Sequence, residues 1–204
     1  MGKQFLAGVV IVLAPVAVLS QAQSRSPKTA DLGFLIGTWK LTAVHFDTAD
    51  PKAAARQETG TKACRYALET AGEPAYIVCE NSSIYRSSGE GEESHEAYVE
   101  YLNYNPHVEA FEKTNFFSSF PVKVIERVTF DAATRTLEIR GRVEVGNSVD
   151  SYVEYWRFDA GYSAFDREAL INRSSMPMTE YRRIVSGRNV RVAREVDPAA
   201  PASR

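Results

Sequence analysis

Ten short runs rich in Val, Ile, Tyr, Phe and Thr, separated by turn residues, constrain this chain more than any other feature. They are Thr38–Phe46, Thr61–Glu69, Ala75–Ser82, Glu96–Tyr104, Val108–Phe117, Val122–Phe130, Thr136–Val145, Val149–Phe158, Ala164–Ile171 and Thr179–Val185. β-branched and aromatic residues suit a pleated, half-buried surface. Asn105-Pro106, Gly146-Asn147 and Asp159-Ala160-Gly161 punctuate the runs as turns do. So many consecutive antiparallel strands curl or close, because open twisted sheets rarely grow beyond ~10 strands. Closure also removes exposed edges. The expected fold is therefore all-β: a closed antiparallel up-and-down barrel of about ten strands. One short N-terminal helical turn precedes it at Asp31–Gly37, with Asp31 as its cap and its apolar residues closing one end. Asp47–Gly60 reads as a long connection, with Pro51–Arg56 suited to one or two helical turns.

Two hairpins have a readable register. A two-residue turn at Ala71-Gly72 sets Thr70 opposite Glu73, Leu68 opposite Ala75, Tyr66 opposite Ile77, and Cys64 opposite Cys79. Directly opposed antiparallel residues are close enough for a disulfide. Leu68, Ala75 and Ile77 share the cysteines' face, so that face is expected inward. In the second hairpin a turn at Gly146-Asn147 pairs Val145 with Ser148, Gly141 with Tyr152, Ile139 with Glu154 and Leu137 with Trp156. Leu137, Ile139, Gly141, Val143 and Val145 form one apolar face, against Glu138, Arg140, Arg142 and Glu144 on the other. The pairing carries Tyr152, Glu154, Trp156 and Phe158 inward.

Residues 1–22 lie outside this pattern. Lys3 precedes an apolar stretch, Phe5–Leu19, and Ser20-Gln21-Ala22 offers small residues for cleavage. That is the make-up of a secretory signal peptide. The stretch is shorter than the ~20 residues of a spanning helix, so no transmembrane segment is expected once it is cleaved. Its removal takes away Lys3 alone among charged residues and moves the net charge from −2 to −3. The expected location is secreted, periplasmic or extracellular, where the only two cysteines of the chain, Cys64 and Cys79, can pair and stay paired. Residues 23–30 read as a disordered lead-in, 31–186 as the barrel domain and 187–204 as a mobile tail. A charged fraction of 25% without a basic field gives no reason to expect a nucleic-acid partner.

Gly37-Thr38-Trp39, following Phe34-Leu35-Ile36, resembles the G-x-W signature of lipocalins and the wider calycin group. The chain is more closely similar to exported bacterial lipocalin-like domains of unknown function. Those share a G-T-W start, a Tyr-rich middle with an Asn-Pro turn and a final Tyr-Arg-Arg, here Tyr181-Arg182-Arg183. In such barrels the tryptophan packs at the closed end and a late arginine lies across it. The resemblance implies that Arg182 or Arg183 covers Trp39, a favourable cation–π arrangement. It spans residues 31–185, and it departs from typical lipocalins in lacking a T-D-Y segment and a long helix after the barrel.

None of the three histidines, His45, His95 and His107, has metal-ligand spacing with another, and neither a metal nor a cofactor is implied. No phosphate loop, G-x-S-x-G or H-E-x-x-H occurs. His45 shares strand parity with Trp39 and Leu41 and so points inward. Glu154 on an inward face must be paired, protonated or solvated in a cavity. The leading expectation is a binding protein that holds a small hydrophobic molecule, with Tyr152, Trp156 and Phe158 as apolar contacts and Glu154 or His45 orienting a polar end. An enzyme using Glu154 and His45, or a tyrosine, as acid and base on a small hydrophobic substrate is the first alternative. A packed barrel without ligand is the second. A cavity above ~300 Å³ would favour the first two.

Overall fold

The computed structural model describes residues 26–47, 50, 53–88, 91–119, 123–145, 148–173, 175–177 and 180–193. Ten strands follow in chain order: β1 (Gly37–Phe46), β2 (Ala54–Thr70), β3 (Glu73–Ser87), β4 (Glu93–Asn105), β5 (Ala110–Phe117), β6 (Lys123–Asp131), β7 (Thr136–Val145), β8 (Ser148–Phe158), β9 (Ala164–Asn172) and β10 (Arg182–Ala193). Each pairs antiparallel with its sequence neighbours, and β1 pairs with β10 to close the barrel. This architecture is compatible with the lipocalin-like fold that the sequence resembles. Among the described residues no helix is long and apolar enough to cross a membrane. Residues 1–22, where a signal peptide is expected, lie outside the described residues.

Both hairpins have the expected pairing. Cys64 faces Cys79 with Cα atoms 4.0 Å apart, and the two form a disulfide. Ala71 and Gly72 take positive φ values of 55° and 78°. Two such residues make a turn whose twist matches the flanking strands. In the second hairpin Gly141 faces Tyr152 and Ile139 faces Glu154; its turn, 146–147, lies outside the described residues. A Cβ on Gly141 would sit 2.4 Å from the Tyr152 ring, so the bare glycine is what lets that ring lie flat across β7.

Three expectations about the strands are corrected. Leu68 was expected inward, but it is 72% exposed, because its positive φ of 55° turns it out of the strand's alternation. The connection expected over 47–60 is shorter: β2 already begins at Ala54, in extended backbone where helical turns were expected. The tail expected from residue 187 is instead strand: β10 runs to Ala193 and completes the seam with β1. Alternation explains this segment too, since Val185, Gly187, Asn189 and Arg191 all face inward opposite β1. Gly187 lies so close to β1 that a Cβ would come within 2.6 Å of Ala43 Cβ.

The closed end is a packed apolar core. A 3-10 turn, Thr29–Leu35, inserts Leu32 and Leu35 beneath the barrel. The Thr29 hydroxyl ties it to the sheet, donating to Ala75 O at 3.1 Å and accepting from Tyr104 N at 3.0 Å. Asp31 serves the turn from its third position, accepting from Lys28 N at 2.9 Å, rather than as the cap. Trp39 is fully buried, and its indole N–H donates to Leu35 O at 2.8 Å. The arginine across that indole is Arg191, at 4.5 Å, not Arg182 or Arg183. Arg191 stands directly opposite Trp39 on the neighbouring strand and also donates to Phe34 O. Arg183 lies over Phe46 instead, and Arg182 pairs with Glu180.

Candidate functional site

Above the apolar floor the inward positions become charged. Alternation along β2 places Glu58 and Lys62 inside, and the same rule places Glu96 and Glu100 on β4, Lys113 on β5, Glu126 on β6, Glu154 on β8 and Arg167 on β9. Burying charge costs several kcal/mol per ion unless partners restore what water supplied, so the pairing decides what this layer can be.

The pairing crosses strands. Lys62 Nζ lies 2.6 Å from Glu100 Oε2. Lys113 bridges two carboxylates, at 3.4 Å from Glu100 and 2.9 Å from Glu126. Arg167 lies 2.5 Å from Glu154 and 3.6 Å from Glu58. Glu58 also meets His45 Nε2 at 2.8 Å and accepts from Ser83 at 2.7 Å and Tyr85 at 3.1 Å. Glu126 accepts from the Tyr152 hydroxyl and from Asn115 Nδ2, the latter at 2.7 Å. Glu96, nearer the mouth, accepts from Ser119 at 2.7 Å. Among the described residues this interior therefore holds five carboxylates against three fixed cations, with His45 the one further basic group.

These contacts set the protonation of the layer. Burial alone would raise Glu58, but His45, Arg167 and Ser83 override it and hold the carboxyl at about 2. Burial likewise opposes ionisation of Glu100, and Lys62 with Lys113 hold it at about 2. Glu154 is also lowered: burial is outweighed by Arg167, by Lys113 and by the Trp156 N–H. Glu126 goes the other way. Burial pushes it up, and Lys113 and Tyr152 do not fully offset that push. Burial raises the Tyr85, Tyr98 and Tyr152 hydroxyls as well, so they act as neutral hydrogen-bonding groups.

A cavity of about 260 Å³ opens above this layer, smaller than the ~300 Å³ set above as the mark of a ligand cavity. Its walls are apolar: Val124, Val143, Ala169, Ile171, Ile184 and Val185. Its floor is polar, with Glu100, Lys113, Asn115, Glu126, Glu154 and Arg167. Tyr98 and Phe117 stand together on one side, ring centroids 5.4 Å apart.

The candidate residues read from the sequence are spread along the barrel axis. Tyr152 and Glu154 line the cavity. His45 is not among the lining residues; it sits behind Tyr85, ring centroids 5.3 Å apart, bound to Glu58. It is joined to Glu154 through Glu58 and Arg167 rather than paired with it. Trp156 lies beneath the floor, with the Lys62 ammonium 4.0 Å over its ring and its N–H on Glu154 at 2.5 Å. Phe158 belongs to the closed-end core, 5.0 Å from Phe34 and 4.8 Å from Phe165. The reason is the strand's rise of ~3.3 Å per residue, which spreads four alternate inward residues over ~20 Å. Sequence reasoning missed Glu58, Lys62, Glu96, Glu100, Lys113, Glu126 and Arg167. The signal was present as charges at the inward parity of apolar strands, such as Glu126 between Val124 and Val128, or Lys113 between Phe111 and Asn115.

No protein-family model matches the chain, and no curated protein matches it either.

Proposed function

We propose that this is an exported binding protein that holds one small, partly apolar molecule in the open half of its barrel. The observation that carries the reading is the cavity of about 260 Å³, with aliphatic walls above a hydrogen-bonding floor. Walls of that kind remove a hydrocarbon body from water at ~25 cal/mol per Å² buried. The floor orients a polar end, as the few convergent polar groups of ligand pockets do. Tyr152 and Glu154 are the ligand-facing residues in this reading, with His45 setting the charge of Glu58 behind them. Trp156 serves as a reporter under the floor, and Phe158 as part of the base. The cavity's size limits the guest to a molecule smaller than a sterol or a long-chain lipid. Export is supported by the leader-like residues 1–22 and by the Cys64–Cys79 disulfide, which persists in an oxidising compartment.

The test is a titration of intrinsic tryptophan fluorescence with short-chain alcohols, amines and carboxylates. A saturable change with at least one class, abolished by Ala169→Phe, which fills the cavity from its wall, is the expected result. No saturation by any class, in protein whose thermal unfolding is cooperative, overturns the reading.

A further inference from the structure

The outside of the barrel differs from one flank to the other. On β8–β10 the outward side carries ion pairs, Arg157 with Glu168 and Arg188 with Asp166. From β3 to β6 it is apolar. Tyr101, Phe116 and Ile125 alternate with inward residues and stay 37%, 46% and 55% exposed. The rings of Tyr76, Tyr101 and Phe116 form an edge-to-face stripe across three strands, with centroids 6.4 and 5.8 Å apart. A contiguous apolar patch of this kind marks a contact surface. Its internal pattern points to what covers it. Pairing sets Val99 beside Phe116, and Tyr101 beside Thr114, on β4 and β5. Large and small side chains thus alternate like a chequerboard, around a hollow of about 510 Å³ lined by these four with Leu68 and Tyr76. Such a pattern fits itself when turned over.

We propose that this flank binds a second copy of the chain, about a two-fold axis that runs along the strands between β4 and β5. The axis sets β4 of one copy on β5 of the other, level by level, as a self-complementary contact requires. Phe116 then lies over Val99 of the second copy, and Tyr101 over Thr114, so each ring drops onto a small neighbour. The same axis sets β3 on β6. Val78 is level with Tyr101, Thr114 and Ile125, and so meets Ile125. At the next level Asn103 meets Glu112, an amide against a carboxylate. There Arg127, level with Glu112, meets the ring of Tyr76, a cation against a π face. No like charges face one another across these two levels. A lipid surface would use neither match, and Glu80 and Glu112 on the same flank would oppose an anionic one. Four strands ~4.8 Å apart and three outward levels ~6.8 Å apart, with their side-chain margins, give ~400 Å² per copy, at the weak end of specific contacts. The inference is independent of what the cavity holds, because the flank lies on the outer side of the barrel wall.

The experiment is sedimentation velocity of the purified chain over a range of concentrations. A reversible dimer is expected, with a Kd of ~10–100 µM for a face of this size. Phe116→Glu and Ile125→Glu, at exposed positions where the thermal midpoint should not change, are each expected to weaken it at least ten-fold. Arg127→Glu should weaken it several-fold, and adding Tyr76→Lys should restore it, because the two new charges meet across the axis. A chain that stays monomeric at ~1 mM overturns the assignment, since even a weak specific contact is populated there. A dimer indifferent to Phe116→Glu and Ile125→Glu overturns it too, as does a double variant no tighter than Arg127→Glu alone. Co-sedimentation with phosphatidylcholine–phosphatidylglycerol vesicles, without self-association, overturns it in favour of a lipid surface.

Discussion

On β8, Trp156 and Phe158 belong to an interior where Trp39, Leu137 and Ile139 have no exposure, while Glu154 and Tyr152, the next inward residues along the same strand, sit among paired charges and open space. The base gains stability from apolar area removed from water, a term with no directional requirement. The upper layer must satisfy each ion individually. A scaffold packed dry at one end can carry a partly empty, charged site at the other.

The largest expected effects break each half separately. Trp39→Ala should cost ~3–5 kcal/mol, as large-to-small changes in packed cores do, read from urea unfolding. Lys113→Met should cost a similar ~3–5 kcal/mol for a different reason, because it strands Glu126 and leaves Glu100 with Lys62 alone. Neutralising the stranded partner as well, with Glu126→Gln, should recover most of the loss in the second case. No partner exchange of that kind exists for Trp39, and failure of the recovery would show that the upper layer, too, is held by packing.

Acid should then separate the two halves. Glu58 and Glu100 are held at about 2 in the folded protein, against ~4.3 when unfolded. Their contribution is therefore present above the unfolded value and is lost as pH falls from ~4.3 toward 2, by about 2–3 kcal/mol for each group. Glu126 has the opposite sign. Its raised carboxyl contributes stability below its ordinary value, which is lost as pH rises through the folded value. Thermal midpoints measured against pH should show a shallower acid limb in Glu100→Gln and a smaller decline on the other side in Glu126→Gln. An unchanged profile in both would mean that these carboxyls are not coupled to folding.

The smallest effect sharpens the base. Arg191→Met should cost ~1 kcal/mol through loss of its place over Trp39. Arg183→Met, on the exposed side of the same strand, should stay within ~0.5 kcal/mol. Equal effects on the thermal midpoint would argue against Arg191 as the arginine that covers the indole.

The base and the topology were largely legible in the residues. Strict alternation from Leu137 to Val143, and a turn before Ser148, fixed which side of β7 and β8 faced in, and the opposed cysteines did the same for β2 and β3. The charged layer was not legible. Glu58 fell in a stretch read as a connection, and a Lys or Glu at inward parity looks like a slip of register when its partner's strand is unknown. Lys113 makes sense only beside Glu100 and Glu126, and that neighbourhood follows from cross-strand pairing rather than from spacing along the chain. Arg191 was hidden for a simpler reason: Gly187 reads as the end of a strand, whereas it is there so that β10 can lie against Ala43.

The seam between β1 and β10 also dictates an order of events during synthesis. The first strand waits, with one edge bare, until the last barrel strand has been made, and pairings at such sequence separation form slowly. Until then neither the lid over the indole nor an enclosed chamber exists. A chain cut short of Arg191 would remain an unzipped sheet, prone to stick to its own kind by the free edge.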